Sequence, residues 1–291
     1  MPRYKCKSNH CKSICIIPPN KAKRSTGYST ALLIEWINRG NDLDAVIFAD
    51  TGSEQPYTYE FVDQYVKPFC EDHKIPFETV FYKAGSRVGA VKKGDWEEGQ
   101  RVSIYDWYTY SRSVPSVWKR SCTDNFKIIP ITRLVKEKYP DSLELIGIDS
   151  GESHRAKQVE DPETGEMIYL YPNKSYPLID WNIDREGCRR IIKEYGWPNP
   201  KKSGCYFCPF QSKKSWIDLY HKSPDLFNKS LELEVNSKRF PEFPLFVRAK
   251  PNRLDWLKRE IETQTSIFDY GEACEIPEEN DPIPCDCYDG Y

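Results

Sequence analysis

The chain has 291 residues, with 42 Lys or Arg against 44 Asp or Glu and a formal net charge of −2. That near-balance excludes a global polyanion-binding charge, so any contact with nucleic acid must rest on local basic clusters. A chain of this length buries one large core or a core plus a smaller subdomain, and no apolar run is long enough to cross a bilayer.

The N-terminal stretch Met1-Pro-Arg-Tyr-Lys-Cys-Lys7 is basic, but no signal-type apolar segment follows it, so a soluble cytoplasmic protein without a membrane partner is expected. Eleven cysteines in such a setting are expected to stay reduced. They point to metal binding or catalysis rather than to a disulfide framework.

Ser13-Ile-Cys-Ile-Ile17 reads as a buried strand. Ser29 is placed to cap a helix carrying Ala31, Leu32, Leu33, Ile34, Trp36 and Ile37, with Gly40 as its stop signal. Leu43-Asp-Ala-Val-Ile-Phe-Ala49 is the next strand, ending at Asp50-Thr-Gly52; a helix over 57–71 and a strand over 77–82 follow. The stretch 83–120 lacks periodicity and is rich in Gly, Ser, Trp, Tyr and Arg, which reads as a loop region inserted over the sheet edge. Leu143-Glu-Leu-Ile-Gly-Ile148 is a further strand. Strands alternating with helices predict an α/β fold on a doubly wound, mostly parallel sheet.

Beyond about residue 180 the pattern turns helical, over 184–194, 213–221, 224–238 and 253–263, before an acidic, Pro-rich tail at 271–291. The expected organisation is a nucleotide-binding α/β domain over 1–180 with the 83–120 insert, a helical cysteine-containing subdomain over 181–270, and the tail.

Ligands of an open parallel sheet sit beyond the carboxyl ends of its strands, at the reversal of strand order. Two loops have suitable chemistry there. Ser25, Thr26, Gly27 and Ser29 offer hydroxyls and unhindered N–H groups at a helix N-terminus, which suits phosphate but equally suits a plain helix cap. Asp50, Thr51 and Gly52 put an acid at a strand end where a ribose or Mg²⁺ would be met. Finding both loops at their expected strand ends favours a nucleotide.

Four cysteines are arranged as one close pair and two singles: Cys205 and Cys208 in Ser203-Gly-Cys-Tyr-Phe-Cys-Pro-Phe210, with Cys122 and Cys188 standing alone. Such a set can wrap one soft metal centre, either zinc or an iron–sulfur cluster, or remain as unliganded thiols. Cys6, Cys11 and Cys15 form a looser trio read as thiols, and Cys70 falls on the apolar face of a helix. The segment from Arg101 to Arg120 interleaves aromatic and cationic residues. That pattern suits stacked bases and phosphates, and suits a packed core about as well.

Six blocks then carry a resemblance. They are Ser25-Thr-Gly-Tyr-Ser-Thr-Ala-Leu-Leu33, Phe48-Ala-Asp-Thr-Gly-Ser-Glu54, Cys122-Thr-Asp-Asn-Phe-Lys-Ile-Ile-Pro130, Gly147-Ile-Asp-Ser-Gly-Glu-Ser-His-Arg155, Tyr176-Pro-Leu-Ile179 and Gly204-Cys-Tyr-Phe-Cys-Pro-Phe210. In this order they resemble the phosphoadenylyl-sulfate (PAPS) reductase family of the adenine-nucleotide α-hydrolase superfamily, whose members share the PP-loop ATP pyrophosphatase site. The nearest likeness is to the divergent branch similar to DNA-phosphorothioation sulfurtransferases.

The resemblance implies an adenine nucleotide (ATP, PAPS or APS), with Mg²⁺ as a further candidate, and a [4Fe-4S] cluster, or alternatively zinc, on Cys122, Cys188, Cys205 and Cys208. It implies a sulfur- or electron-donor protein and a DNA or tRNA acceptor as partners. Asp50, Lys127 and Arg155 become the implied catalytic residues, with the basic pair facing the phosphate or sulfate end. A plain ion pair between Arg155 and Glu152 is the competing reading. The chain departs from the family in its phosphate loop, which lacks the usual Lys and Asp; Lys21, Lys23 and Arg24 either supply that charge or are solvated. It also lacks the adjacent Cys-Cys pair of the sulfonucleotide reductases proper.

Overall fold

The computed structural model describes residues 13–17, 27–85, 96–116, 121–162, 164–242, 245 and 253–265. In chain order the strand β1 (Ser13–Ile17) is followed by α1 (Tyr28–Asn38) and β2 (Ala45–Ala49). Helices α2 (Pro56–Phe61) and α3 (Lys67–Asp72) are joined by a π-type turn, Val62–Val66, and lead to β3 (Phe77–Val80). Next come α4 (Ile104–Ser111), the short α5 (Ser121–Thr123), a second π-type turn (Asp124–Ile128) and α6 (Ile129–Lys138). Strand β4 (Leu143–Ile146), a 3-10 turn (Ser150–Arg155), the hairpin β5 (Gln158–Glu160) and β6 (Met167–Tyr169), and β7 (Lys174–Ser175) complete the strands. Helices α7 (Pro177–Asp180), α8 (Arg185–Glu194), α9 (Lys213–Lys222), α10 (Pro224–Val235) and α11 (Leu254–Thr265) follow.

Five strands form one sheet in the order β3-β2-β1-β4-β7, every neighbouring pair parallel. The chain runs outward from β1 to β3 and then returns to pair β4 with β1, so the order reverses between β1 and β4. Alternation along the strands sends Cys15, Val46, Phe48 and Leu145 to one face, against α1, α3 and α8. Ile14, Ala45, Ile47 and Ile146 go to the other, against Ile131, Val135 and Tyr139 of α6. Both faces are covered, which explains why β2 is buried at every position. The expected α/β fold on a parallel sheet is what the chain forms.

Helix α1 has no solvent face until its last turn: Tyr28 to Ile34 and Trp36 are all buried. Gly27 starts it at φ 83°, and Gly40 at φ 73° ends it as its sequence signal predicts. Helix α6 is among the elements the sequence reading did not name. Pro130 falls in its first turn, where its absent N–H is not required.

The chain divides into two compact units, and the division differs from the expected boundary near residue 180. The described residues up to Tyr82 and those of Asn125–Gly204 make the α/β unit, whereas Lys83–Asp124 joins the residues from Cys205 onward. Helix α8 belongs to the sheet, because Cys188 and Ile192 seal the apolar surface of α1. The insert is no mere loop either. Ser103 caps α4, and Tyr105 and Tyr108 pack on Phe207 at ring separations of 5.9 and 6.2 Å. In the same unit the buried carboxylate of Glu234 accepts the N–H groups of Leu245 (2.7 Å) and Leu254 (2.8 Å), which fixes the start of α11. Among the described residues, no helix is long and apolar enough to cross a membrane.

One half-buried acid of the α/β unit makes its stability depend on pH. Asp180 accepts a hydrogen bond from Tyr169 Oη at 2.7 Å, and burial pushes its carboxyl from the ordinary 3.8 up to about 6. The folded state therefore binds this proton more tightly than the unfolded chain does. That contribution is complete below pH 3.8 and is lost as pH rises to about 6. Asp180→Asn, whose amide oxygen still accepts from Tyr169, should flatten the stability–pH curve across this window, as read from urea midpoints.

Candidate functional site

The reversal point between β1 and β4 is built by two close approaches. A Cβ on Gly27 would lie 2.6 Å from Ile192 Cδ1 and 2.8 Å from Pro200 Cγ, so only glycine fits at the entry to α1. A Cβ on Gly147, just past β4, would lie 2.8 Å from the backbone N of Ser29. The first turn of α1 is thus pressed against the end of β4. No side chain caps it and no acid lies in its first turn, so its N–H groups and positive dipole end keep their capacity for an anion. Ser29, expected as the cap, lies inside the helix instead. Its Oγ is buried without a hydrogen-bond partner.

At the end of β2, Asp50 Oδ1 accepts from the Gly52 N–H and from Tyr59 Oη, both at 2.7 Å, and Gly52 turns the loop at φ 71°. Thr51 Oγ1 donates to Glu54 Oε1 at 2.8 Å, and Lys127 Nζ donates to the same oxygen at 3.2 Å. The Glu54 side chain is fully buried and that of Lys127 is 9% exposed. Lys127 therefore reaches the β2 loop, with its ammonium committed to an acid the sequence reading did not single out.

Past β4, Asp149 caps the 3-10 turn by accepting from the Glu152 N–H at 2.9 Å. Its carboxyl is held above its ordinary range by burial and by the charge of Glu152, against the hydrogen bond that Tyr28 donates. Arg155 does pair with Glu152, at 2.5 Å, as the competing reading expected. The pair is mostly buried, however, and Arg155 Nε has no hydrogen-bond partner. Arg185 Nε, at the start of α8, is buried in the same state. A buried guanidinium N–H left open in this way suits an oxyanion. Tyr28 and Asp149 lie within the quoted blocks without having been singled out, and Arg185 lies in none; only the fold brings α8 and the first turn of α1 to the end of β4.

The four cysteines part company. Tyr108 Oη hydrogen-bonds Cys122; burial, then the charges of Cys122 and Cys205, push its phenol above the ordinary range. Cys205 and Cys208 close a turn, with the Cys208 N–H donating to the Cys205 carbonyl at 3.0 Å. Cys188 sits in the apolar core of the α/β unit, fully buried. Burial first, then Asp149 and Asp184, disfavour its thiolate. Among the described residues, no group of three or more His, Cys, Asp or Glu is placed to hold a metal ion.

Cys15 and Cys70 are also core thiols. Ser25, Thr26, the basic residues at 21, 23 and 24, Cys6, Cys11 and the cysteines of the 271–291 tail lie outside the described residues. Of the aromatic insert, Tyr105 and Tyr108 turn out to be packing residues, while Tyr110 is 48% exposed and meets Trp96 in a tilted contact at 5.1 Å. No protein-family model matches the chain, and no curated protein is significantly similar to it.

Proposed function

We propose that the α/β unit binds an adenine nucleotide at the β1/β4 reversal, with its phosphates on the first turn of α1 and its reacting end toward Arg155. The observation that carries this reading is the N-terminus of α1 at the reversal of strand order, which no side chain caps among the described residues. Its backbone N–H groups and positive dipole end suit a phosphate. The unpartnered N–H groups of Arg155 and Arg185 add charge at the same strand end.

The protein is then a sulfurtransferase or reductase of the PAPS reductase type that acts in sulfur modification of nucleic acid. The six sequence blocks support this reading, together with the thiols of Cys122 and Cys205 beside Tyr108. A bound cluster would supply electrons or hold sulfur. Cys122, Cys188, Cys205 and Cys208 are the residues that would hold it; among the described residues no group of three or more ligands is gathered, so no step is assigned to a cluster. Sulfonucleotide reduction is the less favoured reaction, because the adjacent Cys-Cys pair is missing.

Titration calorimetry with ATP and with adenosine 5′-phosphosulfate tests the nucleotide. One equivalent is expected to bind. Arg155→Met should weaken it by about 10–100-fold, the loss of one charge-assisted contact. Absence of binding by either ligand overturns the proposal.

A further inference from the structure

Helix α8 has two unlike faces. Gly187, Cys188 and Ile192 are buried, the last two against α1, and the outer arc consists of Arg185, Glu186, Arg189, Arg190, Lys193 and Glu194. Three of the cations recur at every fourth residue. Arg185, Arg189 and Lys193 therefore line one flank of the helix, one charge per turn and about 6 Å apart along its axis. Like charges at this spacing repel, so the stripe works against the helix that carries it.

The stripe borders the entry to α1. Ile192 lies three residues from Arg189 and seven from Arg185, on the same flank, and its Cδ1 closes on Gly27. Lys201 comes to the same entry, because it is exposed and follows Pro200, which also closes on Gly27. From Arg185 to Lys202 the chain carries six basic residues against two acidic ones, within a protein of net charge −2. The two acids do not cancel the stripe. Glu186 pairs with Arg189 at 2.8 Å and Glu194 with Arg190 at 4.0 Å, and these carboxylates are 71% and 68% exposed. Ion pairs so open to water are weak and yield to a phosphate.

The chemistry of the arc selects one kind of partner. It carries no apolar side chain, so it lacks the apolar centre on which a protein partner packs. A nucleic-acid backbone needs none, since Arg and Lys meet its phosphates at intervals whatever the base sequence. We infer that Arg185, Arg189 and Lys193 hold the phosphate backbone of a nucleic-acid acceptor strand and lead it to the α1 entry, where Lys201 extends the track. The inference rests on the proposed nucleic-acid acceptor and gives it a docking surface on the α/β unit.

The experiment follows binding of a fluorescein-labelled single-stranded DNA of about 12 nucleotides, within the range one basic groove holds, to the full chain by anisotropy at several KCl concentrations. Binding should weaken steeply with salt. The double variant Arg189→Gln, Lys193→Gln should weaken it about 10–100-fold at low salt and lower the slope of log K against log [KCl] by about 1.4, two contacts at about 0.7 each. The double variant Arg133→Gln, Lys136→Gln removes the same charge from α6, on the other face of the sheet, and should match the parent. A stripe variant with the parent's slope, or an α6 variant that loses as much, overturns the stripe and leaves nucleic acid as the acceptor. Poly-L-glutamate that binds as tightly as the DNA assigns the stripe to an acidic protein and also overturns it. No DNA binding at all, in a chain that binds ATP, overturns the stripe together with the nucleic-acid acceptor.

Discussion

Lys127→Met is expected to lower the unfolding free energy of the α/β unit by about 3–5 kcal/mol, the cost of leaving one member of a buried ion pair alone. The Glu54 side chain is fully buried, and its Oε1 accepts from Thr51 Oγ1 and Lys127 Nζ. With the ammonium gone, a carboxylate that has left water loses the cation paired with it. The double variant Lys127→Met, Glu54→Gln should recover most of the loss, because it removes the charge that was stranded. Urea unfolding of the two single variants and the double variant measures the coupling. A Lys127→Met protein within about 0.5 kcal/mol of the parent, the range of an ordinary surface change, would show that the pair does not hold the β2 loop. The same set separates structure from chemistry. If Lys127 only positions the loop, ATP affinity should return with stability in the double variant; if its ammonium meets phosphate, affinity should stay low.

Gly27→Ala is the second large effect. A side chain at φ 83° costs about 1–2 kcal/mol in backbone conformation. Its Cβ would also enter space held by Ile192 Cδ1 at 2.6 Å and Pro200 Cγ at 2.8 Å, and overpacking of this kind typically costs about 1–3 kcal/mol more. Together these predict a loss of about 2–5 kcal/mol. Adding Ile192→Val removes the nearest atom, Cδ1, and should return part of the steric share but none of the backbone share. Differential scanning calorimetry of the parent and both variants reads this directly. An unchanged midpoint for Gly27→Ala would refute the tight entry to α1. Because the same turn is the proposed phosphate site, the variant should also bind ATP more weakly than its stability alone explains.

These two residues differ in how much of their role the sequence carried. Gly27 stood in a Ser/Thr/Gly loop ahead of a helix, so its place in a helix entry was legible. Its partners Ile192 and Pro200 lie more than 160 positions away, and no local pattern links them. Glu54 was visible only as the end of a strand-end loop. Its burial against Lys127 depends on the second π-type turn, which leads into α6, a helix the sequence reading did not name.

The cysteines show the same limit. The spacing of Cys205 and Cys208 identified a tight turn because that is a local property, and the turn is there. Their relation to Cys188 was a long-range claim. The amphipathic pattern of α8 is a local signal, but which apolar surface that helix covers was decided by α1, whose buried length required a second helix over it.

The sequence by itself determined the strand–helix alternation, the parallel sheet, the C-terminal end of α1 and the chemistry of the loops at the strand ends. These follow from period, caps and turn residues within a few positions. Tertiary structure alone decided where α1 begins and which buried groups are paired or left open, namely Lys127 on Glu54, Arg155 and Arg185 with unused N–H groups, and the buried hydroxyls of Ser29 and Thr58. Pairing inside a protein depends on distance in space and on exclusion of water, and neither is written in the spacing of residues along the chain.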